Sequence, residues 1–227
     1  MSKRIKKLRD VLGAQDRLLP FEDAMDLVKK TASAKFDETV DVAVHLGVDV
    51  KGGCAPRGVV DLPGGTGKTV RVAVFARGDK AKEAKDAGAD IVGAEDLAEI
   101  IEKGEINFDR CIATPDMMGV VGRLGRVLGP RNLMPNPKLN TVTMAVAEAI
   151  KASKGGQISY KTDKAGVVHA GIGKVSFDKG TLVKNAESFV DALAKARPSG
   201  VKGIYMKSAY VSCTMGPSVR LSLETFA

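Results

Sequence analysis

The chain of 227 residues has no tryptophan, and aromatic residues make up only 4% of it. So few rings disfavour an RNA-binding sheet built on stacked aromatics, and equally a channel that stacks successive bases of a single strand. Each aromatic residue that is a candidate for exposure therefore matters more as a possible RNA contact. Phe36 is the main candidate, because it lies among charged neighbours at a predicted helix-to-strand junction. The alternative interpretation is that Phe36 closes the hydrophobic core.

Histidine and cysteine are also scarce. The two histidines are His45 and His169, and the three cysteines, Cys54, Cys111 and Cys213, have no CxxC or CxxH spacing. This pattern indicates neither a zinc site nor a disulfide framework. GxSxG and HExxH motifs are missing as well, so we expect no catalytic site, no metal and no cofactor.

No apolar run approaches the length of a membrane-spanning helix. Residues 3–12 form a basic amphipathic stretch, but the apolar segment of a signal peptide does not follow it. We therefore expect a cytoplasmic protein without a membrane partner.

Positive charge exceeds negative charge by 8, and the isoelectric point is near 9.4. Residues 1–66 carry a net charge of +1, residues 67–158 carry +2 and residues 159–227 carry +5. Most of the excess belongs to one body if the two ends fold together. Such an excess is typical of proteins with a polyanionic partner, although a lysine-rich solvated surface is the alternative.

The hydrophobic pattern changes at two glycine-rich points, residues 64–67 and 154–156. Between them, short strands and helices alternate, which is typical of βαβ units around a parallel sheet. The sequence predicts an α/β protein with two domains. Residues 1–66 and 159–227 form a discontinuous α+β domain with an antiparallel sheet, and residues 67–158 form an inserted α/β domain. We further expect a hairpin over 157–175.

The segment LPGGTGKTV resembles a phosphate-binding P-loop, which is the main argument for a rival interpretation as a nucleotide-binding enzyme. That motif requires glycine where this chain has Leu62, and Pro63 removes an amide donor. The segment that follows, VRVAVF, is strand-like where a helix is required. A hinge is the better interpretation. A second rival, a DNA-binding protein, lacks a helix-turn-helix pattern.

Two further segments suit RNA. The glycine-rich stretch GVVGRLGRVLGPR carries Arg123, Arg126 and Arg131, which face either phosphate or solvent. In VSCTMGPS, Ser212 and Thr214 alternate onto one face of a predicted strand. Hydroxyl groups beside a bare glycine backbone suit contacts to ribose 2′-hydroxyls, although an ordinary polar strand end has the same composition.

Three long motifs carry a family resemblance: KFDETVDVAVHLG, ATPDMMGVVGRLGRVLGPRNLMPNPK and AYVSCTMGPSVR. In this order, along nearly the whole chain, they closely resemble the ribosomal protein L-one family, best its bacterial form. The resemblance implies that the insert, residues 67–158, is a Rossmann-like three-layer α/β domain. It further implies a ribosome-bound structural protein of the large subunit, monomeric off the ribosome, that binds ribosomal RNA of the mobile stalk. It also implies help in releasing deacylated tRNA from the exit site, and repression of its own operon through its mRNA.

The resemblance also implies the RNA-contacting residues, which lie on strands and strand ends of the first domain. Carried onto this sequence, they are Phe36, Thr39, Asp41, Ser212, Thr214, Met215 and Gly216, with Lys35, Lys164 and His169 around them. The chain departs from the family pattern at LPGG for LPHG, at Asn132 for glycine and at Cys213 for threonine. The first two departures bear on domain geometry, and Cys213 is expected to point into the core.

Overall fold

The computed structural model describes residue 8 and residues 18–50, 55–198, 201 and 203–222. Apart from Leu8, which is helical, the basic stretch at 3–12 lies outside the described residues, as does Cys54. The chain divides into two compact units: the terminal unit, Met1–Gly67 with Ile158–Ala227, and the insert, Lys68–Gln157. Antiparallel and parallel sheets are both present, which confirms the α/β class.

The terminal unit contains eight of the described elements. In chain order these are α1 (Phe21–Thr31), β1 (Thr39–Leu46), β2 (Arg57–Asp61), β6 (Gln157–Lys161, whose first residue belongs to the insert), β7 (Val167–Lys174), α7 (Lys179–Lys195), β8 (Met206–Cys213) and β9 (Val219–Leu221). The insert contains β3 (Val72–Phe75), α2 (Asp79–Asp86), β4 (Ile91–Gly93), α3 (Glu95–Glu102), β5 (Arg110–Ala113), α4 (Met118–Arg123), α5 (Gly125–Leu128) and α6 (Val146–Lys154).

A four-stranded antiparallel sheet of order β7-β1-β8-β9 organises the terminal unit. Its central strand β1 alternates strictly, because Val40, Val42, Val44 and Leu46 are buried while the residues between them are not. The buried side chains of the four strands form one apolar face. The opposite face remains open for polar residues, as expected for an antiparallel sheet covered on one side.

Helices α1 and α7 cover the apolar face of this sheet. Phe21 and Met25 of α1 pack with Leu182 and Phe189 of α7 in one core cluster, and each of these four side chains is at most 1% exposed. Asp178 caps α7, where its carboxylate accepts a hydrogen bond from the Gly180 amide at 3.1 Å. Such a cap satisfies an amide that the first turn leaves unpaired.

The expected hairpin over 157–175 is largely wrong. Strand β6 pairs with β2 in a separate two-stranded sheet, whereas β7 joins β1. Only the turn Asp163–Gly166 and one bridge between Thr162 and Val168 remain of the hairpin. The Thr162 hydroxyl instead donates to the Pro56 carbonyl oxygen at 2.7 Å, which ties β6 to the segment before β2.

The insert is a three-layer α/β unit. Its parallel sheet has the order β4-β3-β5. Ala73 and Phe75 of β3 pack with α3, α4 and α5 on one face, and Val72 and Val74 pack with α2 and α6 on the other. Both faces of β3 are therefore buried, which explains its continuous apolar sequence.

The glycine-rich segment at 64–67 does not form a P-loop. Gly65 and Gly67 have φ of 70° and 68°, and the strand β3 follows rather than a helix. The buried Asn185 holds the segment, because its Oδ1 accepts from the Gly64 amide at 2.8 Å and its Nδ2 donates to the Gly65 carbonyl oxygen at 3.0 Å. The Gly64 amide therefore faces a side chain of the protein's own helix α7, and the Gly65 amide donates to the Leu62 carbonyl oxygen at 2.9 Å.

Candidate nucleic-acid interface

Two segments far apart in sequence meet at one end of the four-stranded sheet. The first is the α1–β1 loop, residues 32–38, and the second is the turn from Cys213 to Gly216 after β8. They meet because β1 and β8 are antiparallel neighbours, with Val40 opposite Cys213. We call this surface the loop cluster.

Glu38 joins the two segments of the loop cluster. Glu38 is 2% exposed. One carboxylate oxygen accepts hydrogen bonds from the Ser33 amide at 3.2 Å and the Ala34 amide at 3.0 Å, and the other accepts from the Met215 amide at 2.8 Å. A buried carboxylate is tolerated only with such compensation.

Sequence reasoning missed Glu38, although a signal was present. In an alternating strand, residue 38 has the same parity as Val40 and Val42, so its side chain points to the buried face. A carboxylate on a buried face must accept hydrogen bonds from nearby donors. Burial raises the pKa of Glu38, but the hydrogen bonds from Met215, Ala34, Cys213 and Ser33 outweigh it and hold the pKa below its ordinary value.

Thr39 and Thr214 close the end of the β1–β8 ladder. The Thr39 amide donates to the Thr214 hydroxyl oxygen at 3.0 Å, and the Thr214 amide donates to the Thr39 carbonyl oxygen at 3.1 Å. The Thr214 hydroxyl also donates to that carbonyl oxygen at 3.3 Å. Thr214 therefore holds the turn against β1, and it is also exposed to solvent.

The loop cluster presents large apolar side chains to solvent. Phe36 is 56% exposed and Met215 is 48% exposed, and Lys35 beside them is exposed too. Phe36 therefore does not close the core, which was the alternative interpretation of its position. Exposed apolar groups held in place by a buried polar network are typical of a binding surface.

Gly216 is required by packing inside the loop cluster. A Cβ at this position would lie 2.2 Å from Cys213 Sγ. Cys213 itself is 3% exposed and lies in the core, as strand alternation predicts. Burial, followed by the neighbouring Glu38 carboxylate, raises the pKa of the Cys213 thiol. The absence of a side chain at residue 216 thus has a structural reason independent of any ligand.

Asp41 and Ser212 lie next to the loop cluster on the open face of the sheet. They are directly opposite one another in β1 and β8. On the other side of Asp41, Gly171 of β7 leaves room for the Asp41 carboxylate, since a Cβ at residue 171 would lie 3.1 Å from Asp41 Oδ1. The pair Asp41 and Ser212 thus brings two of the predicted RNA-contacting residues together. Asp41 is two residues along β1 from Thr39, on the same face of the sheet.

His169 and Lys164 lie farther away. His169 is on the open face in β7, where its Nε2 lies 3.5 Å from Asp163 Oδ2. Lys164 is exposed in the turn before β7, whose Gly166 carbonyl oxygen accepts from the Leu46 amide at 2.8 Å. This turn lies at the opposite end of β1 from Thr39, about 23 Å away for eight extended residues. The structure therefore does not bring Lys164 to the loop cluster.

Lys174 is a second residue that sequence reasoning missed. It stands opposite Thr39 in β7, and its Nζ donates to Thr39 Oγ1 at 3.1 Å and to the Asp37 carbonyl oxygen at 3.2 Å. Asp37 in turn accepts from the Ser176 hydroxyl at 2.8 Å. The loop cluster thus contains a cation beside Thr39, in addition to Lys35.

The insert offers a separate basic segment. Arg123, Arg126, Arg131 and Lys138 are all exposed, and no acidic residue occurs between residues 117 and 147. Cys111, in the core of the insert, is 3% exposed, and burial raises its pKa to about 12, so it is an unreactive packing residue.

Among the described residues, no group of three or more His, Cys, Asp and Glu side chains can hold a metal ion. In the same part of the chain, no helix has the length and apolar character to cross a bilayer. What the structure does present is an exposed surface of ring, thioether, hydroxyl and ammonium groups at a sheet end. On a chain with net charge +8, these features are typical of a nucleic-acid-binding protein.

Comparison with known families specifies this class. The model of the Ribosomal protein L1p/L10e family matches residues 28–217, and the chain belongs to this family. It is accordingly a structural protein of the large ribosomal subunit that binds ribosomal RNA, in a family of non-enzymatic proteins. The match begins within α1 and ends just after the Cys213–Gly216 turn, so it includes both segments of the loop cluster.

Proposed function

We propose that the loop cluster is the main contact of this protein with ribosomal RNA of the mobile stalk. The observation that carries the proposal is the buried Glu38, which holds two exposed residues, Phe36 and Met215, on separate segments at fixed positions. Preorganised groups bind with less loss of conformational freedom than groups on independent loops. Asp41, Ser212 and Gly216 add hydrogen-bonding groups and bare backbone next to them.

The chemistry of this surface suits folded RNA. Carboxylate and hydroxyl oxygens accept hydrogen bonds from ribose 2′-hydroxyls and base amino groups, and Phe36 offers a ring to an unstacked base. Lys35 and Lys174 supply local positive charge. Residues 159–227, which contribute three of the four main strands, carry a net charge of +5, and this charge adds a salt-dependent attraction to phosphate.

The experiment that tests the proposal compares Met215→Ala and Thr214→Ala with Lys138→Ala. The first two alter the loop cluster, and the third removes an exposed cation of the insert. Binding to a transcript of the stalk region, and to a scrambled RNA of equal length, is measured over a range of salt concentrations. We expect the loop-cluster variants to weaken stalk-RNA binding about tenfold or more, and Lys138→Ala to change it less than threefold. Equal losses at all three positions would remove the loop cluster as the site.

Family membership supports two finer roles, and we propose both. The same loop cluster binds an mRNA structure that resembles the stalk site, so that the protein represses translation of its own operon. The protein also moves with the stalk in the cytoplasmic ribosome as deacylated tRNA leaves the exit site. Competition tests the first role: the leader of the operon mRNA is expected to displace stalk RNA, and Met215→Ala to weaken both complexes in parallel.

A further inference from the structure

Four residues form a row across the open face of the terminal unit's sheet. His169 of β7, Ala43 of β1, Tyr210 of β8 and Arg220 of β9 stand opposite one another in turn. Directly opposed residues of antiparallel strands point to the same side, here away from α1 and α7. The row lies next to that of Asp41 and Ser212, so it continues the surface that begins at the loop cluster.

Tyr210 is the aromatic residue of this face. The chain has three tyrosines and no tryptophan. Tyr160 and Tyr205 are buried, at 5% and 6% exposure, whereas Tyr210 is 36% exposed. Its neighbour in the row is Ala43, whose small methyl side chain leaves open space beside the Tyr210 ring. A phenol ring on a sheet face with a small neighbour is suited to stacking a planar base.

Arg220 supplies a second and independent observation. Its backbone pairs with Tyr210, and its flanking residues Val219 and Leu221 are in the core, so the Arg220 side chain leaves the strand on the open side of the sheet, where it is half-buried. Within the described part of the chain, Arg220 Nε is buried and has no hydrogen-bond partner. A buried donor without a partner costs free energy and is usually explained by a function or by a bound group.

We propose that Tyr210 and Arg220 form a binding subsite for one nucleotide of the bound RNA. The base lies over Ala43 and stacks on the Tyr210 ring, and the guanidinium of Arg220 donates to a phosphate or base oxygen of the same nucleotide. Arginine is suited to this role because its planar donors match phosphate geometry. The subsite extends the proposed function along the sheet, and it rests on that function for the identity of the RNA.

The test uses the intrinsic fluorescence of the full-length protein. Because tryptophan is absent and the other two tyrosines are buried, quenching by acrylamide reports mainly on Tyr210. The protein is saturated with stalk transcript, with scrambled RNA, and with a short single-stranded oligonucleotide at low salt. We expect Tyr210 to become protected from acrylamide and its emission to fall in the saturated stalk complex. Unchanged accessibility of Tyr210 in every saturated complex would overturn the subsite.

Variants separate stacking from charge. Tyr210→Phe keeps the ring and is expected to bind stalk RNA within twofold of the wild type, whereas Tyr210→Ala is expected to bind about 5- to 100-fold more weakly. Arg220→Gln is expected to reduce the dependence of log affinity on log salt by about one unit. Arg57→Gln removes an exposed arginine of β2 elsewhere in the same unit and serves as the matched control. If Arg57→Gln and Arg220→Gln lose affinity equally, the role of Arg220 is refuted.

The outcomes also separate the subsite from the proposed function. Protection of Tyr210 by scrambled and stalk RNA alike, with equal affinities, would contradict stalk recognition and leave the nucleotide subsite supported. Preference for stalk RNA with an unprotected Tyr210 would support stalk recognition and refute the subsite.

Discussion

Glu38 Oε2 accepts a hydrogen bond of 2.8 Å from the amide of Met215, 177 residues later in the chain. The other oxygen of the same carboxylate holds the loop that carries Phe36. A single side chain thus connects the two segments that carry the large exposed apolar residues of the loop cluster.

The first prediction concerns this carboxylate. Glu38→Gln keeps one acceptor oxygen but places an NH2 group where the second oxygen accepted from Met215. Because that NH2 group cannot accept a hydrogen bond, we expect the turn to shift and stalk-RNA affinity to fall about tenfold. Binding isotherms measure the loss, and the amide chemical shift of Met215 reports the cause. Glu187→Gln, on the exposed side of α7, is the matched control and should bind normally.

The second prediction follows from the lowered pKa of Glu38. A lowered pKa means that the folded state binds this proton less readily than the unfolded state does. The stabilisation is therefore present above the ordinary value of 4.5 and disappears as the pH falls through the lower folded value. The difference in melting temperature between wild type and Glu38→Gln should be largest near neutral pH and shrink in acid. A difference that stays constant from pH 7 to pH 3 would contradict this.

The third prediction tests the contact between Gly216 and Cys213. Gly216→Ala places a methyl group 2.2 Å from Cys213 Sγ, so one of the two must move. We expect lower thermal stability and weaker RNA binding. Cys213→Ala removes the sulfur. In the Cys213→Ala background, Gly216→Ala should therefore cost less thermal stability and less RNA affinity than it does in the wild type. A double-mutant cycle measures this coupling, and strict additivity would show that the contact is not the cause.

The fourth prediction concerns Asn185, which is fully buried. Its amide donates to the carbonyl oxygens of Gly65 and Ile172 and accepts from Gly64. Asn185→Ala removes these three hydrogen bonds, of which the one to Ile172 is buried, and is expected to lower the free energy of unfolding by roughly 2–4 kcal/mol. Urea denaturation measures the change. Lys184→Ala, an exposed neighbour on the same helix, should change it by less than about 0.5 kcal/mol.

The fifth prediction tests whether the terminal unit is self-sufficient. Its core cluster contains no residue of the insert. Replacing Lys68–Gln157 with a short glycine-serine linker should therefore leave a cooperatively folding protein that retains most of its stalk-RNA affinity. Circular dichroism tests whether the product folds cooperatively, and binding isotherms measure its affinity for stalk RNA. A product that fails to fold would show that the insert contributes to the stability of the terminal unit.

Strand alternation predicted much of the fold, because the period of two in β1 and β8 assigns each residue to a face without knowledge of its partner. Pairing was not predictable in the same way. β6 and β7 have a turn between them and suitable patterns, yet β6 pairs with β2. Alternation predicts which side of a strand is apolar, but it does not predict which strand pairs with it.

The candidate site shows the same limit. The exposure of Phe36 was undecided in the sequence, since its neighbours are charged while its ring is apolar. Strand alternation indicates that Glu38 points to the buried face, but its partner could not be predicted, because Met215 lies 177 residues away and only the folded sheet brings the two together. The family motifs indicated the neighbourhood of the site through KFDETVD and TMG. The assignment of individual residues to RNA stays a prediction.

The order of the strands has a consequence for synthesis. β1 is central in its sheet, but both of its neighbours come late: Thr39 contacts Lys174, 135 residues on, and Thr214, 175 residues on. A nascent chain therefore carries β1 without a pairing partner while the whole insert is translated. The loop cluster cannot assemble until Met215 has left the exit tunnel, so chains that have not been translated past β8 cannot compete for RNA through this surface. The order of the strands thus delays RNA recognition until both segments of the loop cluster have been synthesised.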